Sequence, residues 1–232
     1  MHRVMVITGS SRGIGRFLTG YYLDKGMTVV GCSRAETDLT HDRYEHFSLD
    51  VSDEKAVNLL VSDVRKKHKR IDYLINNAGI ASANPALLTP LSVVEKIFRT
   101  NVFGTFLLCR EVGKIMARKK FGRIVNFTTG AVPLDLAGES IYASSKAAVE
   151  SLTRILAREF AGSGITCNAV GPALIQTDMT RNVSSEKIQE LLDRQPIAEF
   201  AGFEDVANVI DFFVSDRSAK ITGQQVYLCG VS

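Results

Sequence analysis

Short apolar runs alternate with longer amphipathic stretches along the whole chain. The runs "RVMVIT" (3–8), "MTVVGC" (27–32), "HFSLD" (46–50), "YLINN" (73–77), "RIVNFT" (123–128), "ITCNAV" (165–170) and "QVYLC" (225–229) have the length and β-branched content of strands. Between them, apolar positions recurring every three to four residues predict helices at about 14–25, 53–68, 90–117, 142–161 and 204–214. Several runs are apolar at successive positions, the pattern of a strand covered on both faces. That alternation predicts an α/β fold: a doubly wound parallel sheet with helices on both faces and right-handed crossovers. The rhythm breaks at 171–203, where two prolines flank a short helical piece at 184–193. A connection of this length in a compact domain is more often a lid than a plain loop. The expectation is therefore one domain over 1–232, with a substrate lid at about 173–200.

Composition narrows the classes without naming one. The 232 residues are 45% hydrophobic and 23% charged, enough for a sizeable core under a soluble surface. A net charge of +3 is too small to imply nucleic acid. The basic run Arg65–Arg70 reads as favourable charge at a helix C-terminus. Cys32, Cys109, Cys167 and Cys229 are far apart, with no Cys-x-x-Cys pair, and the four histidines add no partner spacing. No metal site is expected, and free thiols suit a reducing compartment. The apolar start is too short for a secretory signal and no run of about 18 apolar residues follows, so a cytoplasmic protein without membrane association is expected.

The first strand runs into "TGSSRGIG", with Gly9, Gly13 and Gly15 ahead of the amphipathic "RFLTGYYLDKG". Glycines in such a strand–turn–helix allow a tight turn and close approach of backbone to phosphate. The helix N-terminus then aims amides and a positive dipole end at a pyrophosphate. Further on, "YASSK" places Tyr142 and Lys146 four residues apart, on one helix face and roughly 5–6 Å apart at Cβ. A lysine stem packed on a ring is the bland alternative for that pair.

Together these motifs resemble the short-chain dehydrogenase/reductase family, and the resemblance covers essentially the full length. "TGSSRGIG" looks like the family's cofactor turn, supplying Gly9, Ser11, Arg12, Gly13, Ile14 and Gly15. "NNAG" follows the fourth strand as in the family and supplies Asn77, Ala78 and Gly79. Asn101 in "TNVFG" falls where the family carries a catalytic asparagine, and "YASSK" supplies Tyr142 and Lys146. The resemblance implies a Rossmann fold and an NAD(P)-dependent oxidoreductase.

Cofactor choice turns on the end of the second strand. "VVGCSRAE" has Ser33 where NAD-preferring relatives usually place an Asp for the ribose 2′-hydroxyl. Arg34 follows, and Arg12 lies in the glycine turn. Guanidinium forks match phosphate oxygens, so NADP(H) is expected over NAD(H), the alternative being that Arg34 is a solvated loop residue. Asp50 and Val51 resemble the residues that hold the adenine, although Asp50 could instead help cap the helix beginning near Asp53.

Ketone reduction needs a hydride on carbon and a proton on oxygen. Tyr142 is the candidate proton donor, and the charge on Lys146 is expected to lower its pKa from about 10 toward the working range. The resemblance adds that Lys146 also holds the nicotinamide ribose and that Asn101 supports a water leading from Lys146 to bulk. The family places a serine thirteen residues before the tyrosine, where this chain has Thr129. Threonine keeps the hydroxyl that polarises a carbonyl, with a stiffer and bulkier side chain. "NAVGPALIQTDMT" looks like the nicotinamide-side turn, with Pro172, Ile175 and Thr177 at the contacting positions and Ala173 where glycine is usual.

Among family members the resemblance is nearest to 3-oxoacyl-[acyl-carrier-protein] reductases, implying a role in fatty acid synthesis. For an acidic carrier partner, Lys114, Arg118, Lys119, Lys120 and Arg123 would offer a basic rim near the pocket, with an ordinary solvated helix end as the alternative. A carbonyl reductase or alcohol dehydrogenase acting on an unlinked small ketone or sugar is the second reading. An NADP(H)-binding sensor that has lost catalysis is the third, disfavoured because Tyr142 and Lys146 are both present. The apolar breadth of the helices at 90–117 and 142–161, with the resemblance, suggests a homodimer or homotetramer.

Overall fold

The computed structural model describes residues 3–176 and 184–231. All seven apolar runs form strands: β1 Val4–Thr8, β2 Thr28–Ser33, β3 Tyr44–Ser48, β4 Tyr73–Asn76, β5 Gly122–Phe127, β6 Ile165–Gly171 and β7 Gln225–Tyr227. They make one sheet in the order β3-β2-β1-β4-β5-β6-β7, parallel throughout. The order reverses between β1 and β4, and at such a point the crevice beyond the carboxyl ends of the strands is where α/β sheets bind ligands.

The period of two along each strand divides the core into two layers. Val4, Val6, Ile124 and Cys167 face α2 (Glu54–His68), α4 (Gly104–Lys119) and α5 (Ser140–Phe160). Met5, Ile7, Val125 and Val170 face α1 (Gly13–Asp24) and α7 (Phe203–Val214). Both sides of the sheet are thus covered, which is why the strands read as near-continuous apolar runs.

Asp53 caps α2, accepting from the backbone N–H of Lys55 and Ala56 at 2.9 and 3.2 Å. Asp50 does not cap it; its Oδ1 takes the backbone N–H and the hydroxyl of Ser52, both at 2.8 Å. The basic last turn of α2 complements its dipole, and Lys69 closes it in the left-handed conformation at φ 61°.

The helix expected over 90–117 is not continuous. α3 (Leu91–Phe98) and α4 are joined by a π turn over Arg99–Phe103, and Asn101 is buried within it. Apolar periodicity runs unbroken through this segment, so the sequence pattern conceals the change of winding. π turns inside helices occur frequently at functional sites. In the stretch expected to be a lid, the structure describes α6 (Ser185–Asp193), capped by the Ser184 hydroxyl on the Lys187 N–H. Residues 177–183, including Thr177, lie outside the described residues. Among the described residues no helix is long and apolar enough to cross a membrane.

Candidate active site

The glycine turn is built for something that approaches its backbone closely. Gly9 and Gly13 adopt φ of 70° and 53°, which L side chains rarely take. A Cβ on Gly15 would collide with the Gly9 carbonyl oxygen. Arg12 is the N-cap of α1 and makes no side-chain cap, so the first amides of the helix keep their donors for a ligand. Ser11 and Ile14 are half-buried in the same turn. Glycine backbone, free amides and a positive dipole end suit a pyrophosphate, so these residues fit a dinucleotide.

The second wall is tied to the first by Asn77. Its Nδ2 donates to the carbonyls of Thr8 and Gly9 at 2.9 and 3.2 Å, and the Ala78 N–H donates to the Thr8 hydroxyl at 2.9 Å. The ends of β1 and β4 are thereby fixed on either side of the switch point. Thr8 was not singled out in the sequence; its position just before the first glycine was the available signal. A side chain at Gly79 would meet Lys146 Nζ at 3.3 Å and Asn101 Oδ1 at 3.4 Å, so the "NNAG" turn lies directly against the catalytic candidates.

Asn101 is held on three sides. Its Oδ1 accepts from the Ile80 N–H at 2.9 Å, and its Nδ2 donates to the Ile80 carbonyl and the Ser145 hydroxyl, each at 3.0 Å. Ser145 in turn donates to the Tyr142 carbonyl at 2.7 Å. Ser145, read from the sequence only as a small spacer, is therefore the link between the π turn and α5.

Lys146 is buried and donates to the Phe127 carbonyl at 2.8 Å. Burial lowers its pKa to about 8, because the ammonium is removed from water with no carboxylate partner among the described residues. The neighbouring Thr129 hydroxyl favours the phenolate of Tyr142, but burial outweighs it and pushes the phenol up to about 12. Nearby Glu139 pushes it in the same direction. The expectation that Lys146 would lower Tyr142 is thus corrected: desolvation dominates for both groups, and each leans toward its neutral form.

Near the carboxyl ends of β2 and β3, Arg34, Asp50 and Ser52 face Lys96, Arg99 and Thr100 across a cleft of about 260 Å³. Arg34 is exposed there. The Ser33 hydroxyl is engaged elsewhere, donating to the Ala35 carbonyl at 2.7 Å. Val51 is buried, and its side chain packs where a Cβ on Gly104 would be. Beyond β6, the Pro172 carbonyl accepts from the Gly130 N–H at 3.0 Å, and Ile175, three residues on, is buried.

The basic rim is not where it was expected. Arg118, Lys119 and Lys120 end α4, which leads into the start of β5, whereas Thr129 follows that strand's far end. Lys114 is paired with Glu111 at 2.7 Å, and Arg123 is buried, donating to the Gly122 carbonyl at 2.9 Å. Closeness in sequence to β5 did not reveal which end of the sheet the cluster occupies.

A dinucleotide cradle at a topological switch point, with a phenol, an ammonium and a hydroxyl at the neighbouring strand end, defines a nucleotide-dependent oxidoreductase. The comparisons narrow that class. A family model described as enoyl-(acyl carrier protein) reductase matches residues 9–230. The 3-oxoacyl-[acyl-carrier-protein] reductase of Escherichia coli K12 is 31% identical over 234 residues, covering 98% of this chain and 96% of the relative. The solved structure of ElxO with NADP bound has a TM-score of 0.90 at 29% identity, over 98% of this chain and 97% of that one. A 4-hydroxyisoleucine dehydrogenase complexed with NADH has the same TM-score at 25% identity, over 100% and 99% of the two chains. The chain belongs to the short-chain dehydrogenase/reductase family and is an oxidoreductase.

Proposed function

We propose that this protein uses NADP(H) to reduce a ketone to a secondary alcohol, and that the ketone is a 3-oxoacyl thioester carried by acyl carrier protein or coenzyme A. The observation that carries the chemistry is the Thr129–Tyr142 hydroxyl pair at the end of β5, one helical turn from buried Lys146. Two hydroxyl donors suit a carbonyl oxygen, which gains charge as it becomes an alkoxide, better than a carbon–carbon double bond. Similarity to the E. coli 3-oxoacyl reductase supports the thioester.

The Gly9–Gly15 turn would hold the pyrophosphate, Asp50 and Val51 the adenine, and Arg34 with Arg12 the 2′-phosphate. Asn77, Ala78, Gly79 and Lys146 would line the ribose, with Pro172, Ile175 and Thr177 at the carboxamide. The cofactor, when bound, supplies the hydride. Relatives bind both NADP and NADH, so the preference rests on Arg34 and on the cations Lys96 and Arg99 opposite it.

Tyr142 gives the proton. A phenol held at about 12 stays protonated through the physiological range, the form a donor needs, and an alkoxide is basic enough to take its proton. The ammonium of Lys146, at about 8, then returns a proton to the phenolate energetically downhill. Asn101 holds the "NNAG" turn and α5 in place through Ile80 and Ser145. The segment through α6 would close over the substrate. Exposed Phe103, Phe106 and Ile155, at 52%, 40% and 51%, support subunit pairing through α4 and α5.

The test is NADPH oxidation with acetoacetyl-pantetheine beside free acetoacetate. A kcat/KM at least tenfold higher for the thioester is expected. Equal efficiency would give the unlinked-ketone reading, and NADPH binding without turnover on any ketone the sensor reading.

A further inference from the structure

Three successive residues at the end of β5 are gripped by three successive turns of α5. The Thr129 hydroxyl lies beside Tyr142, and Lys146 donates to the Phe127 carbonyl at 2.8 Å. The residue between them, Thr128, donates its hydroxyl to Oε1 of Glu150. Glu150 lies one turn beyond Lys146, is only 7% exposed, and makes no ion pair with any described residue. The same Oε1 accepts the Tyr227 hydroxyl at 2.5 Å, and the backbone carbonyl of Glu150 accepts from Gln225 Nε2 at 3.3 Å. Room for the Tyr227 ring is left by Gly171, where a Cβ would collide with it.

A buried carboxylate satisfied by two hydroxyls is a costly arrangement for a helix that could carry leucine there. What it achieves is geometric. It fixes the height of the β5 end against α5 from one side and against the C-terminal strand β7 from the other.

We propose that Glu150 is a positioning residue: with Tyr227 it holds Thr128, and through Thr128 it sets the Thr129 hydroxyl on Tyr142. The inference rests on the role given above to Thr129. The Glu150 carboxyl meets Thr128 and Tyr227, so on this inference its effect is confined to how well the two hydroxyls meet a carbonyl oxygen. Small misplacements of this kind cost up to about a hundredfold in rate.

The experiment compares Glu150→Leu, Glu150→Gln and Tyr227→Phe, each with and without Thr129→Val, by NADPH-dependent turnover of acetoacetyl thioester. Glu150→Leu should lower kcat by about ten- to a hundredfold while KM for NADPH stays within about twofold. Glu150→Gln keeps the acceptor oxygen and should recover most of the loss. Tyr227→Phe, which keeps the ring in place, should lose severalfold, and this variant decides the matter if Glu150→Leu fails to fold. In the Thr129→Val background both Glu150→Leu and Tyr227→Phe should cost less than about twofold more, because the group they position is gone. Losses that multiply fully with Thr129→Val, or that fall on KM for NADPH, would overturn the inference while leaving the site standing. Full turnover in Thr129→Val alone would overturn both.

Discussion

Asp72, at the amino edge of the sheet, and Lys146 and Glu150, at the carboxyl edge, are comparably buried but are satisfied in different ways. Asp72 accepts from the Val4 N–H and Arg70 Nε, both at 2.8 Å, and Arg3 reaches it at 3.5 Å. The guanidiniums of Arg3 and Arg123 also lie over the Phe121 ring, at 4.2 and 4.6 Å. Charge there meets opposite charge or an aromatic face, and the edge ties β1, β4 and β5 together. Among the described residues Lys146 and Glu150 have only neutral partners, a carbonyl and two hydroxyls. Unpaired buried ionisable groups are poor stabilisers, but the lowered pKa of Lys146 suits a group that passes protons. On the proposed mechanism, one edge of the sheet holds the fold and the other gives up part of that stability for chemistry.

The comparison breaks most sharply at Tyr142. Tyr142→Phe should lower kcat by about 10²–10⁴-fold, with a urea midpoint close to wild type. The mirror substitution, Asp72→Ala, should cost about 2–4 kcal/mol of stability, below the full value for a buried pair because the arginines are partly exposed. Measured on folded enzyme, its kcat should stay within about twofold of wild type. A large loss of kcat in folded Asp72→Ala would show that the two edges are not separable.

Lys146 gives an effect of intermediate size with a definite sign. Its folded pKa of about 8 lies below its ordinary value of 10.5, so between those values the unfolded chain binds more protons. Stability from this group therefore rises with pH through that window, by an amount on the order of 1–3 kcal/mol. Denaturation at pH 7 and pH 10 should show wild type gaining relative to Lys146→Met. An identical pH dependence in the two proteins would contradict burial as the cause. The smallest effect belongs to the cofactor end, where Arg34→Asp should shift the NADPH/NADH efficiency ratio about ten- to a hundredfold toward NADH.

What could be read from the sequence followed the same division. The seven strands were legible because both faces of a covered parallel strand are apolar, and "TGSSRGIG" because its glycines are required by backbone conformation alone. Features that depend on which groups meet across elements were not legible. The π turn around Asn101 hides in an unbroken apolar period, and Glu150 reads as an ordinary solvent-facing acid. The direction of the Tyr142 shift needed the depth of the site, since an ammonium nearby and burial pull a phenol in opposite directions. Of the two readings of the basic cluster, a rim near the pocket or a solvated helix end, the sequence could not choose, because sequence distance to a strand does not say which of its ends is near.

The most direct test of the division is to assay wild type, Tyr142→Phe and Asp72→Ala side by side for NADPH oxidation with acetoacetyl thioester. The account predicts turnover in wild type and in folded Asp72→Ala, with loss of at least about a hundredfold in Tyr142→Phe while NADPH still binds. Turnover that survives in Tyr142→Phe would contradict the assignment of proton donation to the carboxyl edge.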